Sequence, residues 1–415
     1  VDQGRTAPAE PVRLPEGLVL RGATAADLDQ IQALLTERGE AADAVDLRLI
    51  VEDSAAGWDS CAVVVTAEGR VVSTATLLDE ELILGGVRIP AGQVELVATS
   101  VDHEGRGLVR ALMAWAHERS ARRGHLAQVM LGIPYFYRQF GYSYAIPYHP
   151  VRPVHTAPPP EPDHRVRPAV LDDVDAITTL SDAAQADADL RMPHSPECLR
   201  WLLARDGSTQ WIVERDGLPV ATGRSTPPSE DVHLGELSAV DAAAARALLW
   251  HVTTLAGANS ASVRVGDRRG TVASHALAEL LGPAPDAAEM YYLRVEDPAA
   301  LLERLRPVLS ARLAACADHA RFDGEVVLSF FRSHVRFEIA DGVVGPMTRG
   351  GTLQWPASVG GAGIAPDRVP DLLFGPHGII GLSRLHPDVY PGPRADLMGV
   401  LFPPVRADLL TFYLV

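Results

Sequence analysis

The stretch Val97–Arg110, VATSVDHEGRGLVR, constrains this chain more than any other. Gln93–Val101 reads as a strand, and Leu108–Arg123 as a helix that ends at Gly124, with Leu108, Ala111, Leu112 and Trp115 on one apolar face. A strand here runs through a short loop straight into a helix. Gly105 and Gly107 let the main chain turn tightly and approach a ligand with no Cβ in the way. The first turn of the helix offers unpaired N–H groups and the positive end of its dipole. Such a turn suits a pyrophosphate, with Arg106 and Arg110 as added cations. Plain turn chemistry accounts for the same two glycines.

The 415 residues are enough for two to four domains. At 47% hydrophobic residues, disorder over most of the chain is excluded. No apolar run approaches the ~20 residues of a membrane span. Val1–Gly17 lacks the basic start and apolar stretch of a signal peptide, so a cytoplasmic protein is expected. The net charge of −16, with no basic concentration, argues against a nucleic-acid partner and favours cationic ligands such as amines. Cys61, Cys198 and Cys316 are odd in number and far apart, so neither a disulfide framework nor a metal site is expected.

Arg152–Pro168, with three consecutive prolines, reads as an extended linker. A second seam lies near Val295–Pro298, after the strand-like Met290–Val295 and before a helix that opens at Asp297-Pro298. Helical spacing at Leu28, Ile31, Leu34 and Leu35, capped by Thr24 or Asp27, and β-branched runs at Ser60–Thr66 and Arg70–Leu78 precede a short strand at Val87–Pro90. After the linker, Leu171–Leu180, Trp211–Glu214, Leu218–Thr222, Leu234–Ala239 and Ala242–Ala256 repeat this order weakly. There the strand meets its helix through Val240-Asp241, with no glycine. A duplicated unit that lost its ligand loop would look like this.

A second stretch bears on chemistry: Gly132–Tyr144, GIPYFYRQFGYSY, follows a predicted strand, Leu126–Ile133. Phe136 and Phe140 read as an aromatic plug against the sheet. The phenol of Tyr137 is able to lend a proton to a departing thiolate. The ordered set of strand, EGRGLVR, helix, strand and YRQFGY resembles the GNAT superfamily of N-acetyltransferases. The size, the degenerate second copy and the distinct third part resemble one subgroup, the enhanced-intracellular-survival (Eis) type. That resemblance implies an α+β protein with two tandem GNAT-like domains and a C-terminal sterol-carrier-protein-like domain. The expected boundaries are a catalytic domain at 17–150, the linker at 151–168, a degenerate GNAT-like domain at 169–296 and the sterol-carrier-like domain at 297–415.

The resemblance also implies roles. Acetyl-CoA is the co-substrate, with Val97, Ala98 and Thr99 along its pantetheine arm and Gly105, Arg106, Gly107, Leu108, Val109 and Arg110 at its pyrophosphate. Gly132 and Ile133 lie beside it on the next strand. Tyr137 is the general acid, and the chain-terminal carboxylate of Val415 is the base. The acceptor is a small-molecule or peptidyl amine, and the subgroup forms homo-oligomers. Three positions depart from the pattern: Glu104 replaces Gln or Arg, Val109 replaces Gly or Ala, and Val415 replaces a terminal aromatic residue. Glu95, on the cofactor strand, is a second candidate base. Asp43, Asp46, Glu52, Asp53 and Trp58 are candidate walls for a cationic acceptor. The competing reading is a weak or inactive protein that binds acyl-CoA, or an apolar ligand in its third domain.

Overall fold

The computed structural model describes residues 10–39, 41–53, 56–228 and 231–411 of the chain. Its first unit begins with β1 (Val12–Arg13), β2 (Val19–Gly22), α1 (Leu28–Arg38), α2 (Ala41–Glu52) and β3 (Cys61–Val65). β4 (Val71–Leu84) and β5 (Val87–Thr99) follow as one long antiparallel hairpin. Its turn is Gly85-Gly86, both at positive φ, as the tight turn between twisted strands requires. Val87–Pro90 and Gln93–Val101, expected as separate strands, are thus one strand that ends at Thr99. α3 (Leu108–Arg122) crosses over to β6 (Ala127–Met130), parallel to β5, and β7 (Ser143–Pro147) closes the segment. Leu108, Leu112, Met113 and Trp115 of α3 pack on Val72, Leu77 and Val94, while Ile31, Leu34 and Leu47 of α1 and α2 cover the other face.

The second unit comprises β8 (Val151–Pro153), β9 (His164–Pro168), α4 (Val174–Gln185), β10 (Leu190–Met192), α5 (Pro196–Leu203), β11 (Thr209–Arg215), β12 (Leu218–Ser225) and β13 (Asp231–Ala239), then α6 (Ala242–Ala258), β14 (Ser262–Gly266) and α7 (Val272–Leu277). Its sheet order is β8-β14-β13-β12-β11-β9. The two ends of the expected linker are therefore edge strands of this sheet. Only the proline-rich stretch between them lies outside it.

β15 (Met290–Arg294) differs from expectation more sharply. It lies between β6 and β7 of the first sheet, antiparallel to both. The strand read as the close of the second unit completes the first. Its Tyr292 and Leu293 find fully buried positions there.

Two local devices occur in both units. Arg21 grips Asp27 through two hydrogen bonds of 2.8 Å, and Asp27 also accepts from the Thr24 amide ahead of α1. Arg167 grips Asp173 at 2.6 and 2.8 Å, and Asp173 accepts from the Val170 amide ahead of α4. β5 carries a bulge with Leu96 at φ 51°, where Thr74 and Thr76 face Ala98 and Glu95. β13 carries the same bulge with Glu236 at φ 56°, where Thr222 and Arg224 face Ser238 and Gly235. A non-glycine residue at positive φ is uncommon, so its recurrence at matching strand positions marks a repeated architecture.

The third unit has α8 (Pro298–Arg304), α9 (Arg306–Ala314), β16 (Gly324–Ser329), β17 (His334–Ala340), β18 (Val343–Val344), β19 (Thr348–Gly350), β20 (Ala362–Ile364), α10 (Val369–Phe374), α11 (Gly378–Leu385), β21 (Val389–Tyr390) and α12 (Ala395–Leu401). Its sheet runs β18-β17-β16-β20-β21. Leu301, Leu309, Leu328 and Phe374 share one core with Leu82, Ile89, Val129 and Leu293 of the first sheet. β22 (Ala407–Leu409) pairs in parallel with β10, and β10 pairs with Ile83 and Leu84 of β4. Asp408 anchors this end: Arg268 approaches it to 2.6 Å and His149 to 2.9 Å, and together they hold its carboxyl far below the usual range despite its burial. No helix among the described residues is long and apolar enough to cross a membrane.

Candidate active site

The site grows from the end of β5. Pairing between β5 and β6 reaches only Gln93↔Val129, while β5 continues against β4 as far as Thr99. Beyond that point the two strands part, and the Leu96 bulge turns β5 into the opening. Residues 101–103 form one 3-10 turn, and Gly105 (φ 74°) and Gly107 (φ 76°) then reverse the chain into α3. Neither glycine would meet an atom within 4 Å through an added Cβ, so space is open on that side and the backbone conformation alone selects glycine. The amides of Gly105 through Arg110 make no hydrogen bond within the described residues, and Gly107 brings no side chain to cap the helix. In the same loop His103 is buried with its Nδ1 unpartnered. Free donors at a helix N-terminus, approachable over two glycines, fit an anionic diphosphate.

A cavity of about 610 Å³ opens on this loop. Val97, Ala98, Thr99, Gly105, Gly107, Leu108, Val109, Arg110, Ile133 and Tyr137 line it. Arg106 does not: its guanidinium pairs with Glu16 at 2.7 Å and donates to the Asp102 carbonyl at 3.0 Å. Arg110 donates to Gln139 at 2.8 Å and lies over the Phe140 ring. Glu104 is half exposed and paired with Arg38 at 2.5 Å. His103, Phe136, Gln139, Phe140 and Arg38 complete the lining. Arg38, at the end of α1, had no sequence signal to mark it.

A second cavity of about 520 Å³ lies against the first unit, with Arg205, Gly207 and Thr226 of the second unit on its far wall. Arg38, Val97, Ala98 and Tyr137 line both cavities, so the two meet where β5 and β6 part. Gly132 lines this second cavity. An added Cβ there would stand 2.4 Å from the Tyr137 ring, so glycine is what lets the ring lie against the strand. Phe136 and Tyr292 meet the same ring edge-on, with centroids 5.1 and 5.9 Å away. Burial pushes the Tyr137 phenol above its usual range, keeping it protonated.

Glu95 also lines the second cavity and is 4% exposed. Burial pushes its carboxyl up to about 8, against hydrogen bonds from Gln93 Nε2 (2.6 Å) and the Leu131 amide. Asp43 is the one candidate acidic wall that lines this cavity. Asp46 is wholly buried in an ion pair with Arg205 (2.8 Å) that ties the first unit to the second. Glu52 is exposed beside Arg48, Asp53 accepts from the Ala56 amide, and Trp58 packs against the core beneath α1 and α2. Val415 lies outside the described residues. The chain is followed to Thr411, whose carbonyl accepts from the fully buried Arg224. No cluster of three or more potential metal ligands occurs among the described residues.

Residues 20–145 match the acetyltransferase (GNAT) domain family. No curated protein matches the sequence. Among solved structures, the fold is similar to a GCN5-related N-acetyltransferase from Kribbella flavida, at 20% identity and TM-score 0.66, over 95% of this chain and 98% of that one. A GCN5-related N-acetyltransferase from Anabaena variabilis, at 14% identity and TM-score 0.67, covers 95% and 100%. Eis1 from Mycobacterium abscessus, at 17% identity and TM-score 0.60, also covers 95% and 100%. At these identities the likeness concerns the fold, and the match at 20–145 carries the chemistry. Residues 20–145 thus match an acetyltransferase (GNAT) domain, and this match supports an acyltransferase.

Proposed function

We propose that the chain transfers an acetyl group from acetyl-CoA to a primary amine by direct attack. One observation carries this reading: two cavities, one on a loop of free amides and one walled by acidic groups, meet at Tyr137. The free amides of residues 105–110 would hold the diphosphate, and Val97–Thr99 would align the pantetheine arm. Acetyl-CoA supplies the activated acyl group. Holding both reactants across the parted strands removes the entropy cost of their meeting. The amine nitrogen forms the new bond to the acyl carbon as the carbon–sulfur bond breaks. Glu95, in its ionised form, accepts the amine proton, and the Tyr137 hydroxyl donates its proton to the sulfur. A carboxyl poised near 8 suits that exchange at mildly alkaline pH.

The Val415 carboxylate is the second candidate base. Thr411 is buried, and its carbonyl accepts from Arg224 of the second unit. We read the second unit as a degenerate copy of the first, on the matching Arg–Asp clamps and bulges. The third unit is taken as sterol-carrier-like, and assembly into homo-oligomers belongs to the same reading. Following thiol release from acetyl-CoA with a panel of primary amines tests the function. Amine-dependent release is expected. Tight acetyl-CoA binding with no release for any amine would instead favour a binding protein.

A further inference from the structure

The loop that faces the diphosphate begins with a carboxylate, Glu104, where the related pattern has Gln or Arg. A carboxylate at an anion site repels the ligand, and of the two loop arginines only Arg110 lines the cavity to offset it. Arg106 is committed to Glu16 and lies off the cavity, while Arg110 is engaged with Gln139 and Phe140. Without a further cation, Glu104 and Arg110 cancel, and a dianionic diphosphate would meet a rim of no net charge.

The missing cation comes from another element. Arg38, in the last turn of α1, reaches across the mouth of the cavity to Glu104 and lines that cavity beside Gly105 and Gly107. Its side chain is one-third exposed, so it is neither buried nor free in solvent. A guanidinium has five donors in a planar fork, and one contact to Glu104 leaves others available to a phosphate oxygen.

We propose that Arg38, held at the rim by Glu104, is the further cation that binds the cofactor's diphosphate, in place of the arginine or glutamine absent from position 104. Glu104 then positions Arg38 rather than opposing the ligand. The inference rests on the proposed use of acetyl-CoA. It also explains why one residue lines both cavities: the side chain that grips the diphosphate borders the acceptor's space.

Calorimetric titration of three probes tests this: acetyl-CoA, acetyl-dephospho-CoA without the 3′-phosphate, and S-acetylpantetheine without any phosphate. Arg38→Ala should weaken both phosphorylated probes about 10-fold and leave S-acetylpantetheine unchanged. The double variant Arg38→Ala/Glu104→Arg should return affinity to within about 3-fold of wild type, since the cation is then on the loop. A thermal melt of each variant checks the fold. Unchanged acetyl-CoA affinity in Arg38→Ala, or an equal loss for S-acetylpantetheine, would overturn the proposal. A loss seen only with the 3′-phosphate present would overturn the diphosphate assignment. Wild-type protein that binds none of the three probes would instead refute the use of acetyl-CoA and remove the premise.

Discussion

The N-termini of α3 and α6 stand at matching places in two similar units and differ in one respect. Before α3, Gly107 leaves the first amides open to a cavity. Before α6, the Asp241 carboxylate accepts from the Ala244 amide at 2.9 Å and pairs with Arg215 at 2.7 Å. A carboxylate already sits where an anion would have to bind, and the Ala244 amide and Arg215 together hold it below its usual range. The second unit has the clamp, the bulge and the strand-to-helix step, and no glycine before its helix. Framework and chemistry are separable here: the Arg–Asp clamp and core packing maintain the fold, and two glycines open the site.

The comparison breaks most visibly if α3 is given the cap of α6. Gly107→Asp places a carboxylate among the free amides and forces φ near 76° on a side chain. Acetyl-CoA affinity should fall by 100-fold or more, measured calorimetrically, with the far-UV spectrum unchanged. Next in size is Tyr137→Phe. Removing only the proton donor should lower kcat about 100-fold and leave acetyl-CoA affinity within 2-fold.

Glu95 gives a pH test. As the acceptor, it works when ionised, so kcat/KM should rise through about pH 8 in wild type and lose that limb in Glu95→Gln. Its stability effect has the opposite sign. The fold holds the carboxyl neutral while the unfolded chain ionises it, so between the free glutamate value and about 8 the unfolded state binds fewer protons and stability falls as pH rises. Glu95→Gln should therefore melt higher relative to wild type at pH 8 than at pH 5. The smallest effect concerns the second unit. Asp241→Ala should cost about 1 kcal/mol of stability by chemical denaturation and leave acetyl-CoA affinity unchanged.

Local chemistry was readable from sequence. The glycine loop, the apolar face of α3 and the missing glycine before α6 all depend on neighbouring residues. What sequence missed depends on partners far along the chain. Met290–Arg294 looks like any apolar strand, and only pairing with β6 and β7 assigns it to the first sheet. Asp46 looks like a wall for a cation until Arg205 arrives from the second unit. Arg106 looks like a phosphate ligand until Glu16 claims it, and Arg38 ends a helix with no mark of the loop it touches.

Hydrogen exchange in the presence and absence of acetyl-CoA compares the two helix N-termini in one experiment. Amides of residues 104–110 should slow on addition of the ligand, while those of residues 240–245 keep their rates. Unchanged exchange at 104–110, or equal slowing at both helices, would contradict the assignment of the diphosphate to the α3 loop.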